Sequence, residues 1–173
     1  LARAVLAAFR RVEAEMAAAR AKLDQGLGAD VFWSLGMKTS ARNALRGEIV
    51  RIVEGSVNAE VTLRMAGGLE IVSVVSSQSV EDLGLAVGGQ AIALIKSSFV
   101  VLARSENLRT SARNQLAGVI ASREDGAVNS DIRLDLGGGK TLAASITLES
   151  AQVLELAVGD RITALIKAPH VIL

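Results

Sequence analysis

The stretch Thr39-Ser40-Ala41-Arg42-Asn43 returns 71 positions later as Thr110-Ser111-Ala112-Arg113-Asn114. The chain that follows returns with it. Thr39 to Leu102 aligns with Thr110 to Leu173 without a gap, and about 26 of the 64 aligned positions are identical. A repeat of this length sets the architecture first. Polar residues kept in both copies are the site candidates, and shared Val, Leu and Gly are scaffold.

Within each copy the pattern is one of short strands. In the first they are expected at residues 45–53, 57–65, 69–75, 90–95 and 99–102. Alternation is clearest in Ala59-Glu60-Val61-Thr62-Leu63-Arg64-Met65, as half-buried strands require. Gly55, Gly67-Gly68 and Gly88-Gly89 punctuate them as turns, with Gly126, Gly137-Gly138-Gly139 and Gly159 in the second copy. One helical turn is expected at residues 79–84, with Ser79 as its N-cap. Five short strands in each copy indicate a mainly β fold, two OB-like five-stranded barrels in tandem. The expected domains are residues 39–103 and 110–173. Barrels this small bury little surface, so packing of the two copies together, or across subunits, is expected.

Residues 1–38 form a separate part. Val5, Leu6, Phe9, Val12, Met16 and Leu23 are spaced as one amphipathic helix over residues 1–24. Gly26 and Gly28 end it, and residues 29–38 form a connector. The helix is expected to pair with a second copy, giving a homodimer through residues 1–24 and the barrels. Charges spread along it exclude a membrane span and a signal peptide. A Leu at position 1 suggests a segment upstream.

Composition excludes more. The 173 residues carry 19 basic and 18 acidic side chains, a net charge of +1, so no overall nucleic-acid footprint is present. There is no cysteine and one histidine, His170, which removes disulfides, thiolate sites and thiol nucleophiles. With no base–nucleophile pair in view, an enzyme is not expected. A cytoplasmic setting fits.

The recurring polar residues are chemically one-sided. They are the hydroxyls and Arg of the opening segment and the Lys of Leu94-Ile95-Lys96-Ser97, which returns as Leu165-Ile166-Lys167-Ala168. A hydroxyl after the third strand also recurs, as Ser76 and Thr147. Lys and Arg only donate, and hydroxyls can turn to donate. Such a set suits a compact oxyanion, because charge-assisted hydrogen bonds are the strong ones. Backbone N–H groups at Ala41, Ala112, Ser97 and Ala168 could add donors. Plainer roles stand beside this one. Lys96 could be a solvated strand end, Arg42 an ion-pair partner, and Asn43 and Asn114 turn or capping residues.

Both clusters resemble those of the molbindin, or MOP, domain, in which the Thr-Ser-Ala-Arg-Asn segment opens the domain and the Ile-Lys-(Ser/Ala) segment lies near its end. The resemblance covers residues 39–173 as a tandem pair. It implies OB-like barrels that bind molybdate or tungstate between domains and subunits. It implies Ser40, Ala41, Arg42, Ser76, Lys96 and Ser97 as ligands in the first copy, and Ser111, Ala112, Arg113, Thr147, Lys167 and Ala168 in the second. Residues 1–38 are similar to the helix that leads into the tandem pair of molybdate-responsive transcriptional regulators. The expected function is therefore the effector-sensing module of such a regulator. DNA would be reached only through a winged helix-turn-helix absent from this sequence. A molybdate store is the alternative. An accessory domain of a transporter ATPase would need a nucleotide-binding loop that the chain lacks. Binding of single-stranded nucleic acid needs stacking aromatics, and the two copies hold only Phe99.

Overall fold

A computed structural model describes residues 39–105 and 108–173. The expected helix over residues 1–24, the connector after it and their part in a dimer lie outside the described residues.

Among the described residues, ten strands form two five-stranded sheets. The first repeat contributes β1 (Asn43–Glu54), β2 (Asn58–Arg64), β3 (Glu70–Ser76), β4 (Gln90–Ile95) and β5 (Val101–Ala103). The second contributes β6 (Asn114–Asp125), β7 (Asn129–Gly137), β8 (Lys140–Thr147), β9 (Arg161–Ile166) and β10 (Val171–Ile172). Strand order is β10-β4-β1-β2-β3 in one sheet and β5-β9-β6-β7-β8 in the other. The five-strand OB-like pattern is therefore present twice, as the sequence predicts, but the fifth strands are exchanged. Val101 pairs with Leu165, and Ile172 pairs with Leu94. Each repeat completes its sheet with a strand of the other.

The long first strand serves two neighbours. Asn43 to Glu48 of β1 pair with β4, and Glu48 to Glu54 pair with β2. Gly47 sits at this changeover. A Cβ there would lie 2.9 Å from the Arg64 carbonyl oxygen, and Gly118 meets Asp135 in the same way at 2.9 Å. Glycine is needed because another backbone comes this close. Irregular pairing follows in both copies, between Ile49 and Arg51 and between Ile120 and Ser122. Such bulges sharpen the twist that a curved sheet requires.

Alternation delivers the core. Ile49, Val61, Leu63, Ile71 and Ile95 of the first repeat are buried, as are Ile120, Ile132, Leu134, Leu142 and Ile166 of the second. Val100, Leu102 and Val171 join the same apolar cluster, so the exchanged segments help to fill it. In the first sheet the free edges of β3 and β10 also meet. The Ser73 hydroxyl donates to the Val171 carbonyl at 2.7 Å. The equivalent residue of the second repeat is Ala144, which has no hydroxyl to do this.

The helical turns are α1 (Ser77–Asp82) and α2 (Leu148–Val153). The first begins earlier than expected, and its N-cap is Ser76 rather than Ser79. The Ser76 hydroxyl accepts from the Ser79 N–H at 3.1 Å, and Thr147 accepts from Ser150 in the same way at 3.1 Å. Phe99 likewise falls in a 3-10 turn, Ser97–Phe99, and the fifth strand starts two residues later.

Candidate anion-binding site

Strand pairing brings the two recurrent clusters together. Asn43 is opposite Ile95, so Thr39–Arg42 and Lys96–Phe99 leave the same end of the first sheet side by side. Asn114 is opposite Ile166, which does the same for Thr110–Arg113 and Lys167–His170. Each copy therefore builds a corner from its opening segment and its Lys.

The second corner opens on a cavity of about 280 Å³, lined by Ser111, Ala112 and Lys167 together with Phe99 and Val101 of the first repeat. Phe99 and His170 hold equivalent positions in the two repeats, and their rings pack with centroids 4.6 Å apart. Lys96 places its Nζ 5.9 Å from the Phe99 centroid. The two corners thus adjoin across the contact between repeats. Lys96 and Lys167 are exposed, and neither forms an ion pair among the described residues. Ser40 and Ser111 are exposed, whereas Ala112, Ser97 and Ala168 are buried.

Two expected donors are engaged within the chain. The Ala41 N–H donates to the Thr39 hydroxyl at 3.1 Å, and the Ala112 N–H to the Thr110 hydroxyl at 3.3 Å. The structure does not bring every expected residue into a corner. Ser76 and Thr147 lie at the ends of β3 and β8, four residues beyond Val72 and Ala143, which the asparagines grip. At about 3.3 Å per residue, that is roughly 13 Å along the strand.

The arginines leave the corners too. Arg42 donates to Asp131 at 2.8 Å, and Arg113 to Glu60 at 3.1 Å. Asp131 and Glu60 are equivalent positions, so this is one ion pair made twice, each time across repeats. The hydrogen bond from Arg42 holds the Asp131 carboxyl below the usual carboxylate range, against a smaller opposing effect of burial. Arg113 lines a different hollow from Lys167, of about 450 Å³, with Arg51 and Thr62.

Asn43 and Asn114 prove to be cross-repeat clamps, neither turn nor capping residues. The Asn43 amide donates to the Ala143 carbonyl at 2.9 Å, and its oxygen accepts from the Ala143 N–H at 2.6 Å. Asn114 treats Val72 in the same way, at 2.8 and 2.7 Å. Each side chain imitates a strand and pairs the open backbone of β3 or β8. Sequence reasoning misses the pairings of Arg with acid, Asn with edge strand and Phe99 with His170. The signal is there in part: positions 60 and 131 are both acidic, and 99 and 170 both carry rings.

The TOBE domain matches residues 39–102 and again residues 110–173. Molybdenum-pterin-binding protein MopA of Rhodobacter capsulatus is 44% identical over 98% of this chain and 66% of its own length. Molybdenum transport protein ModE of Azotobacter vinelandii is 35% identical over 99% of this chain and 67% of its own. The chain thus spans about two thirds of these relatives. Among solved structures, that of the cytoplasmic molybdate-binding protein ModG, with molybdate bound, superposes with a TM-score of 0.76. It shares 39% identity and covers 79% of this chain and 97% of that one. None of these names is an enzyme's, and no helix among the described residues is long and apolar enough to cross a membrane. Two TOBE matches over nearly all of residues 39–173, on two strand-exchanged OB-like sheets, place the chain in the TOBE (molbindin) domain family.

Proposed function

We propose that the chain binds molybdate or tungstate at its two donor corners and acts as the effector-sensing module of a molybdate-dependent transcriptional regulator. The observation that carries this is the second corner. There Ser111, Ala112 and Lys167 meet in one cavity, and the lysine has no carboxylate partner among the described residues. A tetrahedral dianion placed there meets the Ser111 hydroxyl and the Lys167 ammonium, with no carboxylate among the lining residues. Ser76 and Thr147 serve as ligands by being presented from a second copy, which makes each complete site a property of the assembly.

Linkage then supplies the mechanism. An anion held by two copies binds the assembled arrangement and not the separated one, so it stabilises that arrangement by about 2.7 kcal/mol at 100 times Kd. An attached DNA-binding domain reads the shift in population. Two kinds of competent site are expected, since both repeats keep their donors. The resemblance to MopA and ModE runs over 98% and 99% of this chain and so reaches beyond the two barrels into residues 1–38.

A molybdate store is the second reading. The likeness to ModG favours it, because that protein is almost fully covered by the two-barrel part. The coding sequence upstream of Leu1 separates the two. A winged helix-turn-helix there supports the regulator, and its lack supports the store. Binding itself is tested by calorimetry with molybdate, tungstate and sulfate. Tight heats for the first two and weak heats for sulfate are expected. Equal weak heats for all three would overturn the proposal.

A further inference from the structure

We propose that Glu60 and Asp131 are built-in competitors of the bound oxyanion, each holding back the arginine of the opposite repeat. This inference rests on the anion-binding reading above. Its basis is a contact made twice. Arg42 meets Asp131 at 2.8 Å and Arg113 meets Glu60 at 3.1 Å, at positions that correspond through the 71-residue repeat.

Three features make these contacts competitors and not permanent braces. Each is a single N–H···O contact, not the two-pronged arginine–carboxylate pair that fixes both side chains. Both arginines are about half exposed, at 47% and 58%, so water already weakens the pairs. Last, Arg113 lines the hollow beside Arg51 while Ser111 and Lys167 line the neighbouring cavity. Arg113 and Ser111 are only two residues apart, so a change of side-chain torsions is enough to turn the guanidinium towards the corner. It must leave Glu60 to do so. The repeats are also held together by the asparagine clamps, so the fold does not rest on the ion pairs alone.

The carboxylates therefore set an affinity threshold. A ligand displaces them only if it offers the guanidinium more than one exposed carboxylate oxygen does. A compact dianion meets that condition, and a singly charged anion of similar size meets it poorly. Glu60 and Asp131 thus lower the affinity for any anion that recruits the arginine. Each acts on one corner: Asp131 through Arg42 on the first, Glu60 through Arg113 on the second.

The test is calorimetric titration of the full chain with molybdate. Glu60→Gln and Asp131→Asn keep the shapes and remove the charges. Each is expected to tighten one class of site by about two- to fivefold, the scale of an exposed ion pair. Perrhenate, a singly charged tetrahedral anion, should gain no more than molybdate in either variant. The gain should vanish when Glu60→Gln is combined with Arg113→Ala, which a purely structural role would not produce. Unchanged or weaker binding in the single variants, with wild-type binding intact, overturns this inference alone. No molybdate binding by the wild-type chain overturns both this inference and the function it rests on.

Discussion

Single residues in this chain sort by whether they face a partner repeat or an open corner. Lys167 faces a corner without a carboxylate partner among the described residues. Lys167→Ala should weaken molybdate binding about tenfold or more, as expected for a lost charge-assisted hydrogen bond, while the thermal midpoint stays nearly unchanged. Unaltered affinity by calorimetry would remove Lys167 from the ligand set. Asn114 shows the opposite behaviour. Asn114→Ala leaves the Val72 N–H and carbonyl without their partner, so a loss of about 1–3 kcal/mol in denaturant unfolding is expected. A neutral result there would mean that water replaces the clamp. The corner residues are legible in the sequence because their recurrence and donor-only chemistry are properties of residue types. The clamps are not, because Asn43 and Asn114 act on backbone 100 and 42 positions away. Nothing in the residues near an asparagine shows which distant edge strand lies open to it.

Among the elements, strands and turns follow their local rules, and the misplacements are local too. The N-cap expected at Ser79 falls at Ser76 because two serines three apart can each cap a turn. The choice depends on where β3 stops. Thr147 makes the same cap in the second repeat, so its hydroxyl is engaged with Ser150. Thr147→Ala should therefore cost about 1 kcal/mol of stability from the cap alone. If it also lowers molybdate affinity while Thr147→Ser restores it, the hydroxyl serves both roles. Affinity that survives the alanine variant would confine Thr147 to capping. In the sequence Gly47 and Gly118 stand out only as shared scaffold. Glycine is needed there because carbonyl oxygens of the neighbouring strands β2 and β7 would lie 2.9 Å from any added Cβ, a tertiary fact that no local pattern carries.

At the scale of the molecule, the repeat announces two barrels but conceals how they are joined. The segments 99–102 and 170–173 are so alike that either fits either sheet, and local pattern cannot decide between them. Exchange makes each barrel incomplete alone. Residues 39–103 expressed separately should lack their closing strand and fail to give a cooperative monomeric transition, whereas residues 39–173 should unfold as one unit. A stable, cooperative 39–103 monomer would contradict this. Charge adds a pH dependence. The Asp131 carboxyl is held low by Arg42, Asp125 by Arg123, and Asp160 by the Ala157 N–H with Arg104. Their stabilisation is complete above the unfolded value of about 3.9 and is lost as pH falls through the lower folded values. Denaturant midpoints should fall in that acid range, and less steeply in Asp131→Asn.

The central claim is that the same donor corner, formed twice, holds a tetrahedral oxyanion. Anomalous diffraction at the tungsten edge, from crystals grown with tungstate, tests it most directly. Density beside Ser40, Ala41 and Lys96 and again beside Ser111, Ala112 and Lys167 is the predicted result. Tungsten located elsewhere, or nowhere, would contradict it.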